Sequence, residues 1–171
     1  MNTVFFDVDT QLDFMCPAGA LYVPRAETRI PVIAALNRRA SRLVSTVDAH
    51  PENDIEFRSW PPHCIVGTWG QRKPAETLVG GAQIIFKKTT TDAFLNPLLL
   101  PLLGELNADR YVVYGVVTEI CVRFAALGLL ATGKPVDIVT DAVEMLNARA
   151  REAFYEEFTA HGGRLVTSAT V

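Results

Sequence analysis

Apolar residues along this chain alternate between two spacings. Short runs rich in β-branched and aromatic side chains fall at residues 3–7, 43–47, 83–86, 110–116, 136–140 and 164–167. Such runs, with little polar interruption, suit strands buried on both faces of a parallel sheet. Between them, helical spacing appears at 30–41, 119–132 and 148–161, the last closed by Gly162-Gly163. Strands that alternate with helices predict βαβ units. The expected fold is α/β: a three-layer α/β/α arrangement around a six-stranded, mainly parallel sheet, in one domain over residues 1–171. Two stretches break the rhythm. Residues 49–76 carry Pro51, Pro61, Pro62 and Pro74 and little periodicity, and a loop that long in a compact domain is more often functional than idle. Residues 94–103 are apolar but interrupted by Asn96, Pro97 and Pro101, too short a run to cross a bilayer.

Composition narrows the classes. At 171 residues, 49% hydrophobic and 20% charged, the chain has the size and make-up of one globular domain. A net charge of −3 with no basic cluster offers nothing to meet phosphates, so no nucleic-acid partner is expected. The N-terminus lacks a basic region and places acids where a signal core would continue. That predicts a cytoplasmic protein with no membrane partner. Three cysteines without framework spacing fit reduced thiols better than disulfides, which raises the question of a nucleophile.

The polar residues are sorted by one rule: in open parallel sheets, ligands bind beyond the carboxyl ends of the strands. Asp9, Asp48 with His50, Lys88 and the segment before Cys121 all fall at or just after such ends. Cys121 sits at a strand-turn-helix junction, where helix N–H groups favour a thiolate. The plainer alternative is a small buried hydrophobe. Asp9 is placed to take a proton from it and Lys88 to pair with the thiolate, although Lys87 stands beside Lys88. Asp48, His50 and His63 form a mixed carboxylate and imidazole set suited to Zn²⁺, Fe²⁺ or Mn²⁺, with Glu56 able to complete the shell. Of the other acids beside the first strand, Asp13 reads as a turn or cap residue. Asp7 either raises the Asp9 pKa by like charge or pairs with an unidentified cation. No G-x-S-x-G, P-loop or G-x-G-x-x-G motif is present.

Together these residues resemble the isochorismatase-like cysteine hydrolases, and within that family the nicotinamidases most closely. "VDTQLDF" at 8–14 is similar to the family's D-x-Q-x-D-F, which carries the catalytic Asp over to Asp9. "KTTTDAF" at 88–94 is similar to the family's Lys segment and selects Lys88 over Lys87. "GVVTEICVRFAA" at 115–126 matches the G-x-x-T-[DE]-x-C-V turn, with Cys121 as nucleophile. The resemblance implies a Rossmann-like strand order and a cis peptide at Val116–Val117 that aims the Val117 and Cys121 N–H groups into an oxyanion hole. "DAHP" and "WPPHC" imply Asp48, His50 and His63 as ligands to one divalent ion, Zn²⁺ first, with Fe²⁺ or Mn²⁺ as alternatives. Phe14 and Trp60 correspond to the walls of the substrate pocket. Three residues depart from the pattern: Glu56 replaces a second metal histidine, Ile120 stands where many nicotinamidases have His, and Asp7 replaces an aliphatic residue.

The implied activity is hydrolysis of a small carboxamide, nicotinamide to nicotinate and ammonia, by a homo-oligomer. The alternatives are another small amide or carbamoyl compound, maleamate- or ureidoacrylate-like, and a non-catalytic metal-binding module.

Overall fold

A computed structural model describes residues 2–81 and 83–171. Among the described residues, six strands form one sheet: β1 (Thr3–Val8), β2 (Leu43–Asp48), β3 (Gln83–Lys88), β4 (Arg110–Val116), β5 (Val136–Glu144) and β6 (Arg164–Val166). Their order is β3-β2-β1-β4-β5-β6, and every pairing is parallel. The helices are α1 (Leu12–Met15), α2 (Ile30–Arg39), α3 (Leu99–Leu106), α4 (Arg123–Ala131) and α5 (Ala148–Ala160).

The connection from β1 to β2 runs one way along the sheet and that from β4 to β5 the other. Right-handed crossovers therefore put α2 on one face and α4 with α5 on the opposite face. The result is the three-layer architecture expected. Its core runs through both faces of the central strands, with Val4, Phe6, Val112 and Val113 wholly buried. No helix among the described residues is long and apolar enough to cross a membrane.

Three elements differ from the sequence reading. Helix α3 occupies part of the stretch broken by prolines. Pro101 is its third residue, where the backbone N–H has no intrahelical acceptor to lose, and Leu99, Leu103 and Leu106 bury one face. Strand β5 continues four residues beyond Thr140. The two acids of this extension have partners: Asp141 accepts from the Ser168 N–H and hydroxyl at 2.8 and 2.6 Å, and Glu144 from Arg29 at 2.9 Å. The helix expected from residue 119 begins instead as a π turn, Thr118–Val122, and becomes α-helical at Arg123.

Candidate active site

β1 and β4 are neighbours from which the chain departs in opposite directions, so their carboxyl ends bound the crevice where an open α/β sheet binds ligands. The strands approach closely there because Gly115 faces Val8, and a Cβ on Gly115 would lie 2.1 Å from the Val8 carbonyl oxygen. Gly115 also has φ +118°, a conformation that favours glycine. The peptide between Val116 and Val117 is cis. The chain then enters the π turn that carries Cys121, a type of turn frequent at functional sites.

Asp9 is the first residue past β1 and adopts a left-handed backbone, φ +50°. That is uncommon for a residue with a side chain, and it persists where the surroundings over-determine it. Its N–H donates to the Thr46 carbonyl at 3.1 Å, and its carboxylate accepts from the Thr46 hydroxyl at 2.7 Å. The bend takes Asp9 out of the strand's alternation, so it does not share a face with Asp7 as a regular strand would require.

Lys88, at the end of β3 and 3% exposed, reaches the second Asp9 oxygen at 2.8 Å and also pairs with Asp48 at the end of β2. That Asp9 oxygen has no directed hydrogen bond among the described residues.

The titration behaviour of the group follows from its geometry. Burial raises the Asp9 pKa, Lys88 opposes it and Asp48 adds to it; the net shift is upward. Burial also pushes Asp48 up, but Lys88, His50 and His63 together hold it well below the carboxylate range. Two carboxylates that share one lysine are thus driven apart, the pattern that separates a proton carrier from a fixed charge. Burial raises the Cys121 thiol well above 9.0, with Lys88 opposing and Asp9 reinforcing the shift.

Beside Asp48 lies the metal candidate. Asp48, His50 and His63 each offer a ligand atom within 4.8 Å of the others, and all three are buried. His50 Nδ1 meets Asp54 Oδ2 at 3.0 Å and His63 Nδ1 meets the Pro61 carbonyl at 2.7 Å. Both partners can only accept, so each ring carries its hydrogen on Nδ1 and turns Nε2 inward. His50 Nε2 is buried without a hydrogen-bond partner among the described residues, 3.8 Å from Asp48 and 3.7 Å from Glu56 Oε2, which is likewise unpartnered. Two imidazole nitrogens and the Asp48 carboxylate converging, with the unpartnered Glu56 Oε2 beside His50, fit a divalent cation.

The expected residues meet at one cleft. It is lined by Phe14, Trp60, Val117, Ile120 and Cys121 together with Asp48, Glu56 and His63, and by Leu21, Val23, Thr91 and Leu146. Asp9, Lys88 and His50 are buried just behind that lining.

The sequence reading missed the parts that hold the loop. Gln11 donates through Nε2 to the Asp48 and Gln71 carbonyls, each at 2.8 Å, and accepts from the Asp48 N–H at 2.7 Å. The carboxylate of Asp13, read as a turn or cap residue, accepts from the N–H groups of Ala20 at 2.8 Å and Cys64 at 2.7 Å. Phe94 packs on Gly128 of α4, where a Cβ would lie 2.3 Å from its ring. Gln11, Asp13 and Phe94 all stand inside the quoted motifs, but nothing local in the sequence reveals the partners they meet.

Asp7 pairs with Lys73 at 2.8 Å, so the cation left unidentified in the sequence is Lys73. The alternative, that Asp7 raises the Asp9 pKa, has no support, because the charges acting on Asp9 are those of Lys88 and Asp48.

A structure described as the pyrazinamidase of Pyrococcus horikoshii in complex with zinc superposes with a TM-score of 0.90 at 32% identity, covering 98% of this chain and 99% of that one. A structure described as PnC1 from L. infantum in complex with nicotinate gives a TM-score of 0.88 at 29% identity, over 98% and 93% of the two chains. The nicotinamidase of Escherichia coli is 26% identical over 95% of this chain and 93% of its own. Residues 3–170 match the Isochorismatase domain family, and over that near-complete span the chain belongs to the isochorismatase family.

Proposed function

We propose that this chain is a cysteine-dependent amidohydrolase that converts nicotinamide to nicotinate and ammonia, with Cys121 as nucleophile, Asp9 as proton carrier and Lys88 as their counter-ion. The observation that carries the reading is the Asp9 oxygen held by Lys88 at 2.8 Å, buried and without a directed hydrogen bond, behind a cleft that Cys121 lines.

A thiol held protonated by burial needs a base at the moment of attack. Asp9 takes the Cys121 proton as the sulfur bonds to the carboxamide carbon. The N–H groups of Val117 and Cys121 receive the oxyanion, a contribution worth about 10²–10³ in rate per donor. The C–N bond breaks as Asp9 returns the proton to the nitrogen, releasing ammonia and leaving a thioester. Water then adds to the thioester carbon and gives a proton to Asp9, and collapse expels the Cys121 sulfur, which recovers that proton. Lys88 offsets negative charge throughout, first on Asp9 and then on sulfur. Asp48, His50, His63 and Glu56 would hold a divalent ion, Zn²⁺ or, with two carboxylates in the set, Fe²⁺ or Mn²⁺. Such an ion supplies Lewis acidity and lowers the pKa of bound water.

Nicotinamide is favoured over maleamate- and ureidoacrylate-like amides by the cleft lining. Phe14 and Trp60 provide aromatic surface, and among the described residues no Arg or Lys lines the cleft to meet a substrate carboxylate. Ile120, apolar where many nicotinamidases carry His, supports the second reading, another small uncharged amide. Ammonia release from a panel of amides tests both. The expected order is nicotinamide first and the carboxylate-bearing amides last, with Cys121→Ala inactive on all; ammonia release by Cys121→Ala would remove the proposal.

A further inference from the structure

Asp7 is wholly buried in the middle of the sheet, two residues before Asp9, and it is fully engaged. One oxygen accepts from Lys73 at 2.8 Å, Asn37 at 2.9 Å and Ser45 at 3.2 Å, and the other accepts from the Thr10 hydroxyl. Lys73, itself buried, also donates to the Thr10 carbonyl at 3.2 Å. Both polar ends of Thr10 are thereby tied to the ion pair. Thr10 is the residue directly after Asp9, whose φ of +50° turns the chain away from the strand.

Lys73 belongs to the segment that closes the loop bearing the metal candidates. That segment is zipped to the residues following Thr10: the Leu12 N–H donates to the Arg72 carbonyl at 2.8 Å, the Asp13 N–H to Gly70 at 2.9 Å, and Gln11 to Gln71 at 2.8 Å. The ion pair is thus the buried end of a ladder that joins residues 10–13 to residues 70–73. Gln11 and Asp13, in the same ladder, hold Asp48 and the residue after His63.

We infer that Asp7 and Lys73 are positioning residues that fix Thr10, and through it hold the Asp9 backbone in its left-handed turn and the His63 loop in register with it. The inference rests on the proposed amidase for its kinetic consequence but not for its structural one. An ordinary buried ion pair would serve stability alone, and an apolar pair of similar volume would replace it without loss. Here the same replacement leaves both ends of Thr10 without partners beside the proton carrier.

The test compares two double variants with wild type. Asp7→Leu/Lys73→Met removes charge and hydrogen bonds together; Asp7→Asn/Lys73→Gln removes charge but keeps one acceptor oxygen at position 7 and an amide donor at position 73. The apolar pair is expected to fold, to lose about 10²-fold in kcat with KM within about threefold, because misplacement of a reacting group by an ångström costs on that order. Amide hydrogen exchange at residues 10–13 and 70–73 should speed up in it while β4 and β5 stay protected. The polar pair should recover most of kcat and of the exchange protection. Wild-type kcat and exchange in the apolar pair would overturn the inference, as would failure of the polar pair to recover either. Should the apolar pair not fold, Thr10→Val removes only the hydroxyl bond and carries the same prediction at smaller size; wild-type kcat and exchange there would equally overturn it. A wild-type protein inactive on every amide would sink the proposed function instead, and the exchange measurements would still decide the clamp.

Discussion

Asp7 and Asp9 lie two residues apart on one strand and its exit, both wholly buried, yet they face opposite circumstances. Asp7 has donors on both oxygens, from Lys73, Asn37, Ser45 and Thr10. Asp9 shares its lysine with Asp48 and keeps one oxygen free of any directed hydrogen bond among the described residues. A buried carboxylate with donors on both oxygens is committed to holding its neighbours in place. One left partly unmet, near a thiol, is able to take a proton and give it back. Burial alone therefore does not distinguish the two acids; the partners each one keeps after burial do.

The sharpest way to break this comparison is to neutralise each acid in turn. Asp9→Asn is expected to lower kcat by about 10²–10⁴, the range for losing a positioned acid-base group, while urea denaturation shifts less than for Asp7→Asn, because Lys88 keeps Asp48 as a partner. Asp7→Asn strands the buried Lys73 charge and should cost about 3–5 kcal/mol in the same denaturation experiment. An Asp9 variant that unfolds easily, or an Asp7 variant of wild-type stability, would reverse the two roles.

Next in size comes the metal centre. Metal analysis of the purified protein should find one divalent ion per chain, retained by the Asp48, His50, His63 and Glu56 set. Asp54→Ala, which frees the His50 ring from its 3.0 Å anchor, should weaken that binding about 10- to 100-fold in chelator competition, the usual cost of losing a ligand's outer support. Unchanged affinity would mean that the ring is oriented by something else.

The thiol gives a pH test. Because burial and Asp9 raise Cys121 above 9.0 against the pull of Lys88, its thiolate fraction should still be climbing at pH 9. Alkylation in a Cys16→Ser/Cys64→Ala background reads this directly. Lys88→Met removes the lowering charge, so labelling should slow at every pH; faster labelling would mean that Lys88 does not act on the thiol.

The smallest effect belongs to a pair remote from these acids. Arg123 forks onto Glu157 at 2.8 and 2.9 Å with both side chains about one-third exposed, so Glu157→Gln should cost under about 1 kcal/mol. Arg123 lowers the Glu157 pKa below 4.5. The contribution is therefore present above pH 4.5 and lost as pH falls through the depressed value, so the variant and wild type converge in stability at low pH.

Much of this arrangement was legible before any coordinates. Asp9, Lys88 and Cys121 each follow an apolar run, and the rule that sites form beyond strand carboxyl ends needs only that periodicity to bring them together. The six strands and the helices α2 and α5 follow from the same signal, to within a few residues, whereas the strand order came only with the family resemblance. What stayed hidden depends on distance along the chain. Asp7 meets a lysine 66 residues away and Asp13 an N–H 51 residues away, and no local pattern encodes either meeting. Helix α3 was obscured by Pro101, which breaks a helix anywhere but its first turn, and the end of β5 by acids whose partners lie on other elements.

The central claim is that Cys121 carries the acyl group during turnover. Acid-quenching the enzyme during steady-state hydrolysis of nicotinamide, followed by peptide mapping by mass spectrometry, tests it most directly. A nicotinoyl thioester is expected on the peptide containing Cys121 and on neither Cys16 nor Cys64, lost on standing in active enzyme. Continued ammonia release with Cys121 unmodified, and undiminished in Cys121→Ala, would contradict it.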